Sequence, residues 1–249
     1  MPPERSSILI LGGTEQARRL AERLGADARF SVTTSLAGVT REPKPIADRV
    51  RTGGFGGPEG LRSFLEEKDI DLLIDAVHPF AVQMSSNAAQ AADAAGIACL
   101  RLERPPWTKQ SGDRWTEVAD IAAAAQAIPK GARALVTVGR QEIAPFLARD
   151  DVAVIARMIE RPDCFVPEHA EIILARPPFT LEDEKALMTA RKIDVLVTKN
   201  SGGDATVAKI SVGRALNLPV IMVGRPEKPV VSTVRSVDEM ITLINEVLD

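Results

Sequence analysis

The chain has 249 residues, with 31 Lys and Arg against 34 Asp and Glu, and a formal net charge of −3. That length can bury one large or two modest cores, and the slight acidity speaks against generic nucleic-acid binding. Cys99 and Cys164 share no metal-ligand spacing with each other or with a histidine, which argues against zinc and fits a reducing compartment.

Met1–Ser7 lacks the apolar core of a signal peptide, and no apolar run is long enough to span a bilayer, so a cytoplasmic protein without membrane partners is expected. Ile8-Leu9-Ile10-Leu11 then reads as a buried parallel strand. It ends in Gly12 and Gly13, and a helix pattern on Ala17, Leu20, Ala21 and Leu24 begins at once. The first amides of such a helix point at whatever lies above the sheet. Gly12 and Gly13 let backbone approach an anion, and Thr14 can cap the helix or bond a phosphate oxygen. The turn is not the full G-x-G-x-x-G fingerprint, and a plain strand-to-helix turn stands as its alternative.

Arg29–Ser35 reads as the second strand. Dinucleotide folds that take NAD usually offer a ribose-binding carboxylate at its end, and here there is none. Thr34 and Ser35 stand there instead, followed by Gly38, Thr40, Arg41 and Lys44. Hydroxyls beside a guanidinium suit a 2′-phosphate, so a bound dinucleotide would be NADP rather than NAD; a solvated loop is the other reading of Arg41. Val50–Thr52 is a short third strand leading into Gly53-Gly54-Phe55-Gly56-Gly57, with a helix from about Pro58 to Glu67. Glycines at this density, Gly54 among them, suggest backbone placed against a ligand, or else a flexible loop.

Asp71–Ala76 is a fourth buried strand running into Val77-His78-Pro79-Phe80-Ala81. His78 sits at a strand's carboxyl end, where it can donate a proton, bond a cofactor phosphate, or cap a helix. An alanine-rich helix to Ala95 and a strand at Ala98–Arg101 complete five strand–helix alternations, the pattern of a parallel, doubly wound α/β sheet. Glu103-Arg104-Pro105-Pro106-Trp107 breaks that alternation and marks a boundary, giving domains 1–104 and 105–249.

The second half repeats the architecture. Strands are expected at Ala134–Val138, Val152–Arg157, Glu171–Ala175, Asp194–Thr198 and Pro219–Val223. Thr180 and Ser236 each open a helix with an N-cap signature. Arg140, Arg161, Arg176, Lys199 and Arg225 each follow a strand of this half. Strand ends of a parallel sheet share one edge, so these cations imply a ligand with several carboxylates or phosphates. Lys199-Asn200-Ser201-Gly202-Gly203 is the best local site here, with a capping turn as its alternative. His169 has no such neighbours and reads as structural. The chain has no tyrosine, which excludes oxidoreductases built on a Tyr-x-x-x-Lys pair, and no G-K-[ST] follows a glycine-rich turn, which excludes a P-loop.

Taken in order, these segments resemble the precorrin-6A reductase family of corrin-ring biosynthesis. The resemblance rests on Leu11-Gly12-Gly13-Thr14-Glu15-Gln16-Ala17-Arg18, on Gly53-Gly54-Phe55-Gly56-Gly57 with Gly60-Leu61, and on Asp75-Ala76-Val77-His78-Pro79-Phe80-Ala81. It continues through Arg104-Pro105-Pro106-Trp107, Thr137-Val138-Gly139-Arg140-Gln141, Thr198-Lys199-Asn200-Ser201-Gly202-Gly203 and Pro219-Val220-Ile221-Met222-Val223. Val77 departs from the threonine expected there. The resemblance implies two Rossmann-like domains with a ligand cleft between them. It also implies reduction of a double bond of the precorrin-6A macrocycle to give precorrin-6B, in cobalamin synthesis, and handover to or from other corrin-pathway enzymes. NADPH would lie on Gly12, Gly13, Thr14, Thr34, Ser35, Arg41, Gly54 and His78, in the N-terminal domain. Arg140, Arg176, Asn200, Ser201, Gly202 and Gly203 would hold the substrate, and His78, Lys199, Lys209 or water would supply the proton. Two alternatives stay open: another NADPH-dependent reductase of a polyanion, and a non-enzymatic protein that binds a nucleotide or anion.

Overall fold

The computed structural model describes residues 5–36 and 49–248. The chain divides into two compact units, Met1–Pro105 with Glu227–Asp249, and Pro106–Pro226. The first contains β1 (Ser6–Leu11), α1 (Glu15–Gly25), β2 (Phe30–Leu36), β3 (Val50–Thr52), α2 (Pro58–Glu67), β4 (Leu72–Asp75), α3 (Val82–Ala95) and β5 (Ala98–Leu102). The second contains β6 (Arg114–Val118), α4 (Ile121–Ala127), β7 (Arg133–Thr137), α5 (Ala144–Leu147) and β8 (Ala153–Met158). It continues with β9 (Ala170–Leu174), α6 (Leu181–Ala190), β10 (Val195–Lys199), α7 (Ala208–Ala215) and β11 (Pro219–Val223). The chain then returns to the first unit as β12 (Ser232–Val234) and α8 (Val237–Leu248).

Each unit is built on a six-stranded sheet, ordered β12-β5-β4-β1-β2-β3 in the first and β6-β11-β10-β7-β8-β9 in the second. Every strand pairing is parallel. Parallel strands need both faces covered, and β1 shows how its sequence meets that need. Ile8 and Ile10 pack with Leu20, Leu24, Met240 and Ile244 of α1 and α8, whereas Leu9 and Leu11 pack with Leu61, Leu65 and the alanines of α3. Both sides of the strand are sealed, so its run is apolar without alternation. In α1, Ala17, Leu20, Ala21 and Leu24 recur at helical spacing and are all buried. The capping box forms at Thr180, whose hydroxyl accepts from Asp183 N while Asp183 Oδ2 accepts from Thr180 N; at Ser236, Oγ accepts from Glu239 N and the Glu239 carboxylate accepts from Arg235 N.

The division of the chain differs from the expected one. The second domain does not run to residue 249, because β12 pairs with β5 through Ser232↔Leu100 and α8 adds Val237, Met240 and Ile244 to the first core. β12 has three residues and β6 alternates about a single buried Trp115. Each is an edge strand, too short or too polar to give a periodic signal of its own. Among the described residues no helix is long and apolar enough to cross a membrane.

Candidate functional site

In an open parallel sheet, ligands bind outside the carboxyl ends of the strands, where successive connections leave a strand in opposite directions. In the first unit that point lies between β1 and β4, because β2 flanks β1 on the other side. Gly12 leaves β1 with its N–H donating to Ser35 O at 2.9 Å, and Gly13 then takes φ +110°, a conformation that favours glycine. A Cβ on Gly12 would stand 3.1 Å from Thr34 Cγ2, so the turn lies flat against the end of β2. Thr34 and Ser35 are both buried.

Thr14 has its hydroxyl engaged twice. Oγ1 accepts from Ala17 N at 3.1 Å as the α1 cap, and donates to Ala76 O at 2.8 Å across the switch point. Of the two roles open to it, the side chain performs the cap. The backbone amides of the first turn are left without intrahelical acceptors and aim out of the sheet edge. Beyond Ala76, His78 Nδ1 accepts from Phe80 N at 3.3 Å. In neutral imidazole the proton is therefore on Nε2, which is the atom able to donate.

Asp75 and Arg101 form a buried pair at the same edge, with Arg101 Nε donating to Asp75 Oδ2 at 2.8 Å and Nη1 to Pro229 O at 2.8 Å. This carboxylate is thereby committed to its own unit. Burial, followed by the charge of Asp75, pushes the Cys99 thiol up to about 12.

The equivalent point of the second sheet lies between β7 and β10. Gly139 takes φ +108°, close to the value at Gly13. Lys199 ends β10 as a strand residue, and its Nζ donates to Glu142 Oε2 at 2.5 Å. Arg140 pairs with Asp163 at 2.7 Å and with Glu160 at 3.9 Å.

The Lys199–Gly203 loop is held from two sides. Trp107 N donates to Asn200 Oδ1 at 2.8 Å, Asn200 Nδ2 donates to Trp107 O at 3.0 Å, and Trp107 Nε1 donates to Gly203 O at 3.0 Å. Arg225 donates to the carbonyls of Asn200 and Ser201 at 2.9 and 3.1 Å. Lys209 is buried, with Nζ 5.2 Å from the Trp107 ring centroid.

The structure thus brings Gly12, Gly13, Thr14, Thr34, Ser35 and His78 to one sheet edge, and Arg140 with Lys199–Gly203 to the other. Lys209 lies on α7 beneath the second loop, and Arg176 is an exposed residue beyond β9. Arg41 falls outside the described residues. The five strand-end cations are not a uniform bare positive edge: Arg140 and Lys199 carry carboxylate partners, and Arg225 serves backbone carbonyls. Sequence reasoning missed those partners and also missed Arg51, which bonds Gly53 O at 2.5 Å and Gly54 O at 2.7 Å. The signal for Arg51 was its place two residues before the glycine run.

These features define the protein as a Rossmann-like α/β protein with that architecture built twice. A family model described as Precorrin-6x reductase CbiJ/CobK matches residues 7–245, so the chain belongs to that family and is an oxidoreductase. A precorrin-6A reductase from Sinorhizobium sp is 44% identical over 244 residues, covering 97% of this chain and 93% of its own length. One from Rhodococcus erythropolis is 46% identical over 224 residues, covering 89% and 90%. A cobalt-precorrin-6A reductase from Priestia megaterium is 32% identical over 236 residues, covering 88% and 91%. The solved structure of a CobK precorrin-6A reductase superposes with a TM-score of 0.89 at 38% identity, covering 97% of this chain and 96% of that one.

Proposed function

We propose that this protein reduces one double bond of the precorrin-6A macrocycle to give precorrin-6B, with NADPH as the reductant. The observation that carries the reading is the pairing of two unlike switch points in a chain that belongs to this reductase family. One is lined by backbone amides and hydroxyls, with no carboxylate among the described residues ending β2, and the other carries a lysine and an arginine.

The residues of the first unit fit a dinucleotide. Gly12 lets the turn lie against Thr34, Gly13 turns the chain, and the amides opening α1 suit a pyrophosphate. Thr34 and Ser35 occupy the ribose end of β2. NADPH, when bound, supplies a hydride. The side chains then have two tasks: to bind the substrate's carboxylates and to hold a proton where the reduced ring needs one. Arg140 and Asn200, with the Ser201–Gly203 backbone, serve the first task, and exposed Arg176 extends it.

For the second task, Glu142 orients Lys199 by accepting from its Nζ, and His78, whose Nδ1 accepts from Phe80 N, has Nε2 as its donor atom. Lys209, buried against Trp107, acts through the loop above it rather than at the ring.

The metal-free macrocycle is favoured as substrate. Relatives named for precorrin-6A are 42–46% identical, against 30–32% for those named for the cobalt form. Both cysteines are unpaired, which supports a cytoplasmic setting.

Incubating the purified protein with precorrin-6A and NADPH tests the reading. Loss of nicotinamide absorbance together with a change in the pigment spectrum is expected. Demonstrable binding of both without NADPH oxidation would sink it.

A further inference from the structure

Leu11, Ser35 and Arg51 form one row across three adjacent strands, since Leu11 is level with Ser35 and Ser35 with Arg51. The row lies directly below the Gly12–Gly13 turn. Neighbouring strands are about 4.8 Å apart, which puts the Arg51 backbone about 10 Å from the end of β1, on the side toward which the adenosine of a bound dinucleotide runs. Among the described residues, Arg51 is the one lysine or arginine in the last two positions of β1, β2, β3 and β4 or the two residues after each.

Its side chain is held in place before any ligand arrives. The guanidinium stacks 3.8 Å from the Phe55 ring centroid and lies 5.5 Å from that of Phe64. Nη1 donates to Gly53 O at 2.5 Å and to Ser35 Oγ at 3.4 Å, and Nη2 donates to Gly54 O at 2.7 Å. Three of the five guanidinium N–H groups are used in this way. The Nε–H and one Nη2–H remain, a pair of donors that can run parallel and match a phosphate. Ser35 Oγ accepts from Arg51, so its own hydrogen points elsewhere and can join them. Arg49, two residues earlier, turns toward the other end of β2 and donates to Ser31 Oγ at 3.1 Å, which leaves Arg51 as the guanidinium at Ser35.

We infer that Arg51, with the Ser35 hydroxyl, reads the 2′-phosphate and so sets the choice of NADPH over NADH. This inference rests on the NADPH reading above. The Gly53–Phe55 loop is then the device that aims the guanidinium.

Titration calorimetry with 2′,5′-ADP and 5′-AMP, and with NADPH and NADH, tests it on the wild type, Arg51→Ala and Arg51→Lys. Replacing Arg51 by Ala should weaken NADPH and 2′,5′-ADP by about 10- to 100-fold, the range for losing hydrogen bonds to a charged group, and leave NADH and 5′-AMP where they were. Lysine should fall between, keeping charge but not the planar fork. If wild type does not prefer 2′,5′-ADP to 5′-AMP, the NADPH reading itself fails. If wild type has the preference and Arg51→Ala keeps it, the assignment to Arg51 alone is overturned. Equal losses for all four ligands in both variants would also overturn it, by showing that Arg51 only supports the loop.

Discussion

The turn after β1 and the turn after β7 start from one geometry and part company within two residues. Gly13 and Gly139 have φ of +110° and +108° at the switch points of sheets with the same strand arrangement. After Gly13 comes Thr14, whose hydroxyl caps an eleven-residue helix and closes on Ala76. After Gly139 comes Arg140, and the helix that follows has four residues and starts only at Ala144. The first turn therefore offers backbone dipoles, while the second, lacking a comparable helix, offers the charged side chains Arg140 and Lys199. Under the function proposed above, one fold would then serve a phosphate and a set of carboxylates by exchanging backbone dipoles for charged side chains.

The largest expected effect concerns how each unit holds its buried arginine. Arg157 gives Glu184 two bonds, at 3.0 and 2.7 Å, and stacks 3.8 Å from the Phe179 ring centroid. Arg101 divides its bonds between Asp75 and Pro229 O, and its Nη2 is buried without a partner among the described residues. Glu184→Ala strands a buried charge and should cost about 3–5 kcal/mol by denaturant unfolding. Asp75→Ala should cost less, since Arg101 keeps the Pro229 carbonyl. A larger loss for Asp75→Ala would break the contrast.

The glycine pair separates backbone strain from function. A Cβ on Gly13 or on Gly139 would meet nothing within 4 Å, so alanine at either position costs only the strain of a positive φ, about 1–3 kcal/mol. Stability should fall alike in the two variants, measured by thermal unfolding. NADPH affinity should fall only in Gly13→Ala, and substrate KM should rise mainly in Gly139→Ala, which moves Arg140. The same ligand responding to both substitutions would refute the division of labour.

Smaller still is the contrast between the residues that follow. Thr14→Val removes the cap and leaves the Ala76 carbonyl without its donor, a loss of about 1–2 kcal/mol. Arg140→Ala removes a pair whose main partner, Asp163, is 76% exposed, so stability should change by about 1 kcal/mol or less. Its expected signature is a raised KM for precorrin-6A.

What the sequence revealed follows from the range of each interaction. The strand–turn–helix at Ile8–Leu24 is legible because burial, turn and cap all lie within one short segment. The Lys199–Gly203 loop is legible for the same reason. Its counterion is not: Glu142 stands 57 positions from Lys199 and meets it only because β7 and β10 pair. Arg51 is marked only by the glycines that follow it, and its place beside Ser35 emerges when β3 pairs with β2. β12 shows the limit most plainly, since Ser232–Val234 has no pattern of its own and acquires an identity only at the edge of β5.

The smallest effect on the fold, and the sharpest chemical readout, comes from the cysteines, one in each unit. Cys164 is exposed, whereas Cys99 packs against the α2/α3 side of the first core. Burial raises the Cys99 pKa from the ordinary 9.0 to about 12, and the Asp75 charge adds to the shift while Arg101 opposes it. The thiolate is the reactive form, so at pH 8 a thiol reagent should label one cysteine of the native protein, Cys164, and reach Cys99 only on unfolding. The linkage has a definite sign. In the folded state Cys99 keeps its proton above pH 9, where the unfolded chain has begun to lose it. Its contribution to stability is therefore complete below about pH 9 and declines as pH rises toward 12. Asp75→Asn should lower the Cys99 pKa by removing the neighbouring negative charge, and so bring forward its labelling as pH rises. Unchanged labelling in that variant would show that burial alone protects the thiol, and that the Asp75–Arg101 pair has no electrostatic hold on the strand beside it.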